Sequence, residues 1–501
     1  MPASSPNGAM PAPDKALAYV ESHRDAFLND LKDLLRIPSI STLPEHREDI
    51  RRAAQYVADQ LTAIDFKKVR LAQPLKEGHP LVYGEWLEAK DKPTILLYGH
   101  YDVQPVDPIE LWKSPPFEPE VRNGNLYARG AVDDKGQMLA LVKALESLMR
   151  ADGALPVNIK ILFEGEEEAG GASIEKYVRE HPDELACDAV LVADTGMPAP
   201  GVPAIIYSLR GILYTEIVAK GAKRDLHSGV FGGIAPNPLH ALALVLAGLK
   251  GADGRIKIPG LYRKVKRVSE EEKALWARNP VDEAQLLKRE MGVDTLVGEE
   301  EYPPLERIWA RPTLEVHGFV GGFTGEGAKT VIPAEGRVKV SLRLPPEIKP
   351  EEALALLKKR VAELCPPGVN MMVEEVHGGM GVLVPLDNVY MRVAERALEQ
   401  EWGKPVVFMR EGGSIPVGAL FDSELRAPVI FMGTGLPDDN IHAPNEKYNV
   451  SHYYHLMRQA IRFLHIAGND PAVASRPRAR KPAAKTPRRA KATASVGKAK
   501  R

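Results

Sequence analysis

The feature that most constrains the fold is an alternation of short apolar strands with helices in the first two hundred residues. Apolar segments at 94–98, 158–163 and 189–193 predict strands, and the segments at 135–150 and 172–180 between them predict helices. Strands that alternate with helices favour a largely parallel sheet with helices on both faces. The sequence therefore predicts a doubly wound α/β fold.

A second type of domain interrupts this pattern near residue 210. From there the predicted elements follow the order βαββαβ, which is typical of a ferredoxin-like α+β domain; they lie at 211–220, 237–250, 313–318, 337–344, 351–364 and 370–376. Doubly wound elements resume after residue 387. We therefore expect one domain inserted into another, and we divide the chain into 1–15 (a flexible leader), 16–209, 210–386 (the insertion), 387–470 and 471–501 (a disordered tail).

The tail differs from the rest of the chain in charge. Residues 471–501 hold eleven Lys or Arg and no acid, whereas the other residues carry 67 acidic side chains against 55 basic ones. Such a segment has too little apolar area to fold alone. It would serve as a solvated extension, contact the acidic body or bind a polyanion weakly and without sequence specificity.

Cysteine content and hydropathy bear on the compartment. Cys187 and Cys365 are too few for a disulfide framework, which points to a reducing environment. The richest apolar stretch, 241–249, is far shorter than a membrane-spanning helix. From this we expect a cytoplasmic protein.

Acidic and histidine side chains concentrate where the predicted strands end. They include two histidines and several carboxylates, namely His100, Asp102, Asp133, Asp134, Glu166, Glu167, Glu168, Asp194 and His442. Each has a simpler explanation by itself: the Asp133-Asp134 pair could cap a helix, and Glu166–Glu168 could be a solvated charge run. Together, at one edge of a sheet, unpaired carboxylates would repel one another, and divalent cations would remove that repulsion.

The residue types suit a two-metal centre. Imidazole with carboxylate favours zinc, with manganese or cobalt as alternatives, and two such ions can activate water and stabilise an oxyanion. Such a centre needs a carboxylate that bridges the ions and a free one that accepts a proton. Asp102 follows His100 by two residues, so in an extended chain it points the same way and can orient that histidine.

Seven motifs then give the chain a specific resemblance. In chain order they are GHYDVQP, ARGAVDDKG, FEGEEEAG, DLHSG, GAKTVIPAEG, REGGSIP and HAPNEKY. With these motifs in this order, the chain resembles the M20 family of dinuclear zinc peptidases, and within it the carnosinase and Cys-Gly dipeptidase branch, over about 16–468. The resemblance implies that 16–209 and 387–470 form the catalytic domain and that 210–386 is a dimerisation and lid domain.

The resemblance also implies a role for each metal-site residue. His100 and Asp194 would hold one ion, Glu168 and His442 the other, and Asp133 would bridge both, with a cis peptide bond to Asp134. Glu167 would be the general base and Asp102 the carboxylate behind His100. Gly170 sets this register, which leaves Glu166 as a variable position without an assigned role.

Further residues are implied for substrate binding. His227 would reach the partner subunit's site in a homodimer and polarise the scissile carbonyl. Thr330, Arg343 and Ser414 match substrate-binding positions. Without the resemblance, His227 could equally be a loop histidine and Arg343 a strand-face arginine.

The sequence thus predicts a hydrolase that cleaves dipeptides with two divalent metal ions, zinc first among them. An N-acyl or N-carbamoyl amino-acid amidohydrolase on the same scaffold is an alternative, which would take a small amide as its substrate. A second alternative is a non-catalytic binding protein that acts through the basic tail. The preferred dipeptide, the physiological metal and the partner of the tail stay open.

Overall fold

The computed structural model describes residues 13–413 and 415–475 and contains a large mixed sheet of nine strands. Four pairings in this sheet are parallel, and three of them join the strands that precede the segments rich in acidic and histidine side chains. The antiparallel pairings lie toward the two ends of the sheet. In sheet order the strands are Lys67–Ala72, Leu81–Trp86, Asn158–Glu164, Thr94–His100, Ala189–Val192, Val429–Phe431, Ala204–Leu209 and Val382–Leu383, with Val407–Glu411 pairing beside Ala204–Leu209.

Apolar strands and amphipathic helices build the core around this sheet. Ala189–Val192 and Ala204–Leu209 are buried along their whole length, as expected for strands with both faces covered. Longer helices pack against the sheet and against one another. The α-helices of this unit are Asp14–Ser22, Arg24–Leu35, Arg47–Ala63, Lys135–Asp152, Ala172–Glu180, Pro182–Leu185, Val389–Trp402, Pro416–Leu420, Val450–Asn469 and Pro471–Ala474; short turns of other helix types are Pro44–His46, Ile109–Leu111, Glu167–Ala169 and Phe421–Leu425.

A second, smaller sheet has four antiparallel strands and its own apolar core. Its chain order is strand Gly211–Lys220, helix Pro238–Leu249, strands Thr313–Gly321 and Glu335–Leu344, helix Pro350–Leu364 and strand Asn370–Gly379. This is the predicted βαββαβ order, and in space the first strand lies between the third and the fourth. The two helices cover one face of the sheet. The fold class expected from the sequence, a largely parallel α/β unit with an inserted ferredoxin-like unit, is therefore confirmed.

We call the chain from Gly211 to Gly379, which contains this smaller sheet, the second unit. The segment between Leu249 and Thr313 adds four short helices to it; they are Leu261–Lys264, Glu270–Trp276, Glu283–Met291 and Pro304–Trp309. Lys250 at the start of this segment donates from Nζ to the Leu314 carbonyl of the strand that follows, at 2.9 Å, and a buried ion pair between Arg311 and Glu299, 2.6 Å apart, lies within the segment. Trp276 donates its indole N–H to the Tyr207 hydroxyl of the main sheet at 2.9 Å. The added segment therefore contacts both sheets.

The remaining strands form two small sheets. Glu120–Arg122, Asn125–Tyr127 and Lys447–Asn449 make one, and Leu226–His227 pairs with Val331–Ile332 in the other. The first of these brings two distant parts of the chain together beside the acidic segments.

Several element ends differ from the divisions drawn on the sequence. The first helix begins at Asp14, inside the expected leader, and Pro471–Ala474 is helical, with Val473 buried, inside the expected tail. Val382–Leu383 pairs with the main sheet, so the chain returns from the second unit before residue 386. Residues 1–12 and 476–501 lie outside the described residues, as does Ser414. Within the described residues, no helix has the length and apolar character that a membrane span requires.

Candidate metal centre

Four of the five residues expected as metal ligands lie where strands of the main sheet end or in the loops that follow them. His100 is the last residue of its strand, Asp194 comes two residues after Ala189–Val192, and Glu168 lies in the turn after Asn158–Glu164. His442 lies in the long loop after Val429–Phe431. Because parallel strands end at one edge of the sheet, these loops converge.

Asp133 lies near the other four expected ligands but is carried by a different kind of segment. It does not follow a sheet strand but comes just before helix Lys135–Asp152, after the small sheet that contains Asn125–Tyr127. The peptide bond between Asp133 and Asp134 is cis, as expected. Asp134 stands at the N-terminus of the helix, yet it makes no side-chain capping bond there; its Oδ2 accepts the His100 backbone N–H at 3.1 Å. The simple explanation of the pair as a helix cap therefore does not describe this site.

The carboxylate of Asp133 lies between the two histidines. Its Oδ1 is 3.1 Å from Nε2 of His100, and its Oδ2 is 2.9 Å from Nε2 of His442. Asp194 Oδ2 lies 3.8 Å from the same nitrogen of His100, and Glu168 Oε1 lies 3.0 Å from that of His442. The five expected ligands thus form two groups of three that share Asp133.

Asp102 holds the two ligand-bearing segments together. Its side chain is fully buried and its Oδ1 lies 3.4 Å from Nδ1 of His100, and the same nitrogen lies 3.1 Å from the Asp102 backbone carbonyl oxygen. Its two oxygens also accept the backbone N–H groups of Glu167 and Glu168, at 3.3 and 3.1 Å. Asp102 therefore positions the turn that carries Glu168 as well as the histidine.

Two polar residues near the centre were missed or left without a role by sequence reasoning. Gln104 donates to Glu168 Oε2 at 2.7 Å, which leaves Oε1 directed to His442. Glu166 accepts the Ser173 backbone N–H at 2.9 Å, next to the start of helix Ala172–Glu180. Gln104 belongs to the GHYDVQP motif and lies four residues after His100. Its position in that motif is the sequence feature that could have identified it as a site residue. The Glu166 contact spans a loop with two glycines, and no pattern in the sequence predicts it.

The charges in the centre perturb one another strongly. Burial alone would lower the pKa of His100, but Asp102 and Asp133 outweigh it and raise that pKa well above its usual value. Hydrogen bonds with Asp133 and Glu168 raise the pKa of His442 to about 10. Burial, followed by repulsion from Asp133, raises the pKa of Asp194 to about 7. Burial also raises the pKa of Glu167 well above its usual range.

The other expected residues lie in the second unit. His227 and Thr330 come together where Leu226–His227 pairs with Val331–Ile332, and the Ser228 backbone N–H donates to the Thr330 carbonyl at 3.1 Å. His227 is exposed, and its Nδ1 accepts the Gly229 backbone N–H at 3.0 Å. Arg343 lies on strand Glu335–Leu344, where burial lowers its pKa. These three residues thus lie outside the main sheet, whose loops carry most of the carboxylate cluster.

Comparison with known proteins assigns the chain to a family. The model of peptidase family M20/M25/M40 matches residues 96–465, which is most of the chain and includes all five expected ligands. The chain belongs to this family. It is an enzyme, as the sequence predicted.

Named relatives cover almost the same length. The chain is 31% identical to the Cys-Gly metallodipeptidase dug1 of Schizosaccharomyces pombe, over 90% of this chain and 98% of that one. It is 30% identical to the human Beta-Ala-His dipeptidase, over 90% and 92% of the two chains. Among solved structures, the M20 family metallo-carboxypeptidase Sso-CP2 of Sulfolobus solfataricus matches with a TM-score of 0.79 and 32% identity, over 88% of this chain and 99% of that one.

Proposed function

We propose that the protein hydrolyses dipeptides at a centre that holds two divalent metal ions. The observation that carries this proposal is the placement of Asp133, whose two oxygens face different histidines at 3.1 and 2.9 Å. A carboxylate in this position would hold both ions of a two-metal site.

The donor set fits such ions. Two ligands of one tetrahedral zinc ion, each about 2.1 Å from it, are about 3.4 Å apart. The four separations in the cluster, between 2.9 and 3.8 Å, bracket that value. His100, Asp133 and Asp194 would hold one ion, and Asp133, Glu168 and His442 the other. The mixture of imidazole and carboxylate favours zinc and admits manganese or cobalt.

When bound, a metal pair of this kind lowers the pKa of a water and polarises a substrate carbonyl. The residues of the chain would supply the proton transfers. Glu167 sits next to a ligand without belonging to either group of three. Its carboxyl group is therefore not committed to an ion and can accept a proton. We propose that Glu167 takes a proton from the attacking water and then delivers it to the leaving nitrogen.

The substrate class is supported by the relatives and by the second unit. Two of the named relatives are dipeptidases. Arg343, half-buried on the second sheet, offers a guanidinium that can bind a free carboxylate in bidentate fashion. Thr330 lies beside His227 and would contact the same substrate. Ser414, which lies outside the described residues, is retained as a fourth substrate contact from the sequence.

A homodimer through the second unit is part of the proposal. His227 accepts a hydrogen bond at Nδ1, so its neutral form carries the proton on Nε2 and can donate to a carbonyl oxygen. Large apolar side chains of the same unit are exposed, among them Ile234 (83%), Leu244 (62%) and Val320 (57%). A second copy that covers these side chains would also bring His227 to the neighbouring site.

Two alternatives differ in substrate or in class. An N-acyl or N-carbamoyl amidohydrolase would use the same centre on a substrate that lacks a free amino group. The second alternative, a non-catalytic binding protein that acts through the basic tail, does not agree with the membership of the chain in this enzyme family.

A substrate panel on protein reloaded with zinc, manganese or cobalt tests these possibilities. We expect dipeptides to be cleaved, and N-acyl and N-carbamoyl amino acids to be poor substrates. Efficient cleavage of the blocked amino acids alone would favour the amidohydrolase. Absence of any metal-dependent hydrolysis would contradict the enzyme mechanism proposed here.

A further inference from the structure

A buried carboxylate beside the metal centre belongs to no proposed ligand group. Glu446 and Arg129 are 0% and 1% exposed, and the Arg129 guanidinium donates to Glu446 Oε2 at 2.8 Å. Three backbone N–H groups also donate to this carboxylate: Gly130 at 2.9 Å, Val132 at 3.0 Å and Asp133 at 3.1 Å. All four donors lie within the five residues that end at Asp133.

The backbone of this segment is bent so that its N–H groups converge. Gly130 has a φ of 82°, and a Cβ at that position would come within 2.6 Å of the Val103 side chain, so only glycine fits. Successive N–H groups that point into one concavity form an anion site, and here the anion is supplied by the chain itself. Removing Glu446 would leave these donors buried without a partner.

The acceptor comes from the segment that carries His442. Glu446 lies four residues after His442, and its backbone carbonyl accepts the Ala128 N–H at 3.2 Å. The next residues, Lys447–Asn449, pair with Asn125–Tyr127. One buried carboxylate therefore joins a loop that ends in Asp133 to a loop that contains His442.

We infer that Glu446 is a positioning residue that fixes Asp133 relative to His442 and thereby sets the affinity of the ion held between Asp133, Glu168 and His442. This inference rests on the two-metal centre proposed above. Residues that orient metal ligands typically change metal affinity by about 10–100-fold when they are replaced. The carboxylate of Glu446 accepts the backbone N–H of Asp133, and the backbone of Glu446 belongs to the loop that contains His442. Loss of this contact therefore changes chiefly the separation of Asp133 and His442.

Glu446→Gln is the informative substitution because it keeps the shape of the side chain. The amide oxygen can still accept two hydrogen bonds, but the amide nitrogen cannot accept any, so two of the four donors lose their partner. Glu446→Asp keeps the charge but is one methylene shorter, and it cannot reach all four donors.

The matched control is Glu401→Gln, which removes a buried carboxylate elsewhere. Glu401 accepts from Arg458 and Arg462 on helix Val450–Asn469, and its side chain is 4% exposed. Glu401 itself lies on helix Val389–Trp402, and neither this helix nor Val450–Asn469 carries a proposed metal ligand. Glu401→Gln therefore reports what the loss of a buried, multiply bonded carboxylate does to stability alone.

The experiment is a calorimetric titration of the full chain, stripped of metal with a chelator, with Mn²⁺, alongside circular dichroism and thermal unfolding. We expect the unchanged protein to bind two ions, and Glu446→Gln and Glu446→Asp to bind one of them at least tenfold more weakly. Glu401→Gln should bind both ions normally although its melting temperature falls.

Unchanged affinities in a folded Glu446 variant would overturn the inference while leaving the two-metal centre intact. Equal weakening in Glu401→Gln would also overturn it, because the effect would then be a general loss of stability. If Glu446→Gln does not fold, Glu446→Asp decides the matter. Failure of the unchanged protein to bind two ions would overturn the proposed centre and this inference with it.

Discussion

Nε2 of His442 lies 2.9 Å from Oδ2 of Asp133, although the whole second unit separates these residues along the chain. Two pairings make this contact possible. The chain returns to the main sheet at Val382–Leu383, and strand Lys447–Asn449 pairs with Asn125–Tyr127, a few residues before Asp133. The centre is therefore completed only when the second part of the main unit has folded onto the first.

The position of Asp133 between the histidines leads to a first prediction on metal content. Asp133→Ala should weaken binding of both ions, because Asp133 belongs to both ligand groups. His100→Ala should weaken chiefly one ion, because His100 belongs to only one group. Each loss should be tenfold or more. Elemental analysis and calorimetric titration with Mn²⁺ would measure this. An Asp133→Ala protein that still binds two ions per chain would exclude a bridging role.

A second prediction concerns Glu167. Glu167→Gln should keep both ions, because this side chain belongs to neither ligand group, and it should lower kcat by about 10²–10⁴-fold through loss of the proton acceptor. Kinetics on one dipeptide, with metal content measured on the same sample, would test it. Glu166→Gln is the matched control, since its carboxylate contacts the Ser173 N–H instead, and its turnover should stay within a few fold. Near-normal turnover of Glu167→Gln would refute the assignment.

The sequence predicted the central strands well and missed several others for a physical reason. Thr94–His100 and Ala189–Val192 are apolar runs covered on both faces, and such runs are visible in a sequence. Leu81–Trp86 is also buried, yet it contains Glu85, whose charge is matched by Lys68 on the neighbouring strand. Val407–Glu411 likewise contains Arg410, which pairs with Glu272 of the added segment. A charged side chain is tolerated in each of these strands because a residue from another part of the chain pairs with it. The sequence of the strand alone does not reveal that partner.

The ligands were predictable in type and the positioning contacts were not. Histidines and carboxylates at strand ends indicate a metal site, because parallel strands end together. The contacts of Asp102 with the turn at Glu167 and of Glu446 with the loop at Asp133 depend on loops that meet only in three dimensions. The spacing of residues along the sequence does not predict which loops come into contact in the folded protein.

A third prediction concerns the pH dependence of stability. Burial opposes ionisation of Glu401, but hydrogen bonds from His455, Arg458 and Arg462 outweigh it and lower its pKa. A carboxyl whose pKa is lower in the folded protein stabilises that protein above its unfolded pKa of about 4.3. This stabilisation disappears as pH falls through the folded value.

Glu401→Gln should therefore destabilise the protein by about 3 kcal/mol at pH 7 and by progressively less below pH 4. Urea unfolding of both proteins from pH 7 down to pH 3 would measure the difference. Glu175→Gln, which breaks an exposed pair with Arg179, should cost less than about 1 kcal/mol. A cost of Glu401→Gln that does not change with pH would contradict the ionic explanation.

A fourth prediction concerns the basic tail. Every site residue named above lies before residue 447, and the buried Val473 belongs to helix Pro471–Ala474. Truncation after Ser475 should leave dipeptide kinetics and oligomeric state unchanged within about twofold. Any affinity of the full chain for DNA should disappear in the truncated chain and should fall steeply with salt. A large loss of peptidase activity on truncation would show that the tail belongs to the enzyme.

The last prediction tests whether the site is shared between subunits. If His227 acts in the partner's site, His227→Ala and Glu167→Gln should each be inactive alone and should complement each other when co-expressed. Random assortment makes half of the dimers hybrid, and one of the two sites in each hybrid regains both residues. About a quarter of the activity of the unchanged protein should therefore return. Co-expression of Glu167→Gln with Asp133→Ala is the control: both residues lie in one carboxylate cluster, so each hybrid site still lacks one of them. Recovery in the first pair and not in the second would establish sharing, and no recovery in either would place His227 outside the neighbouring site.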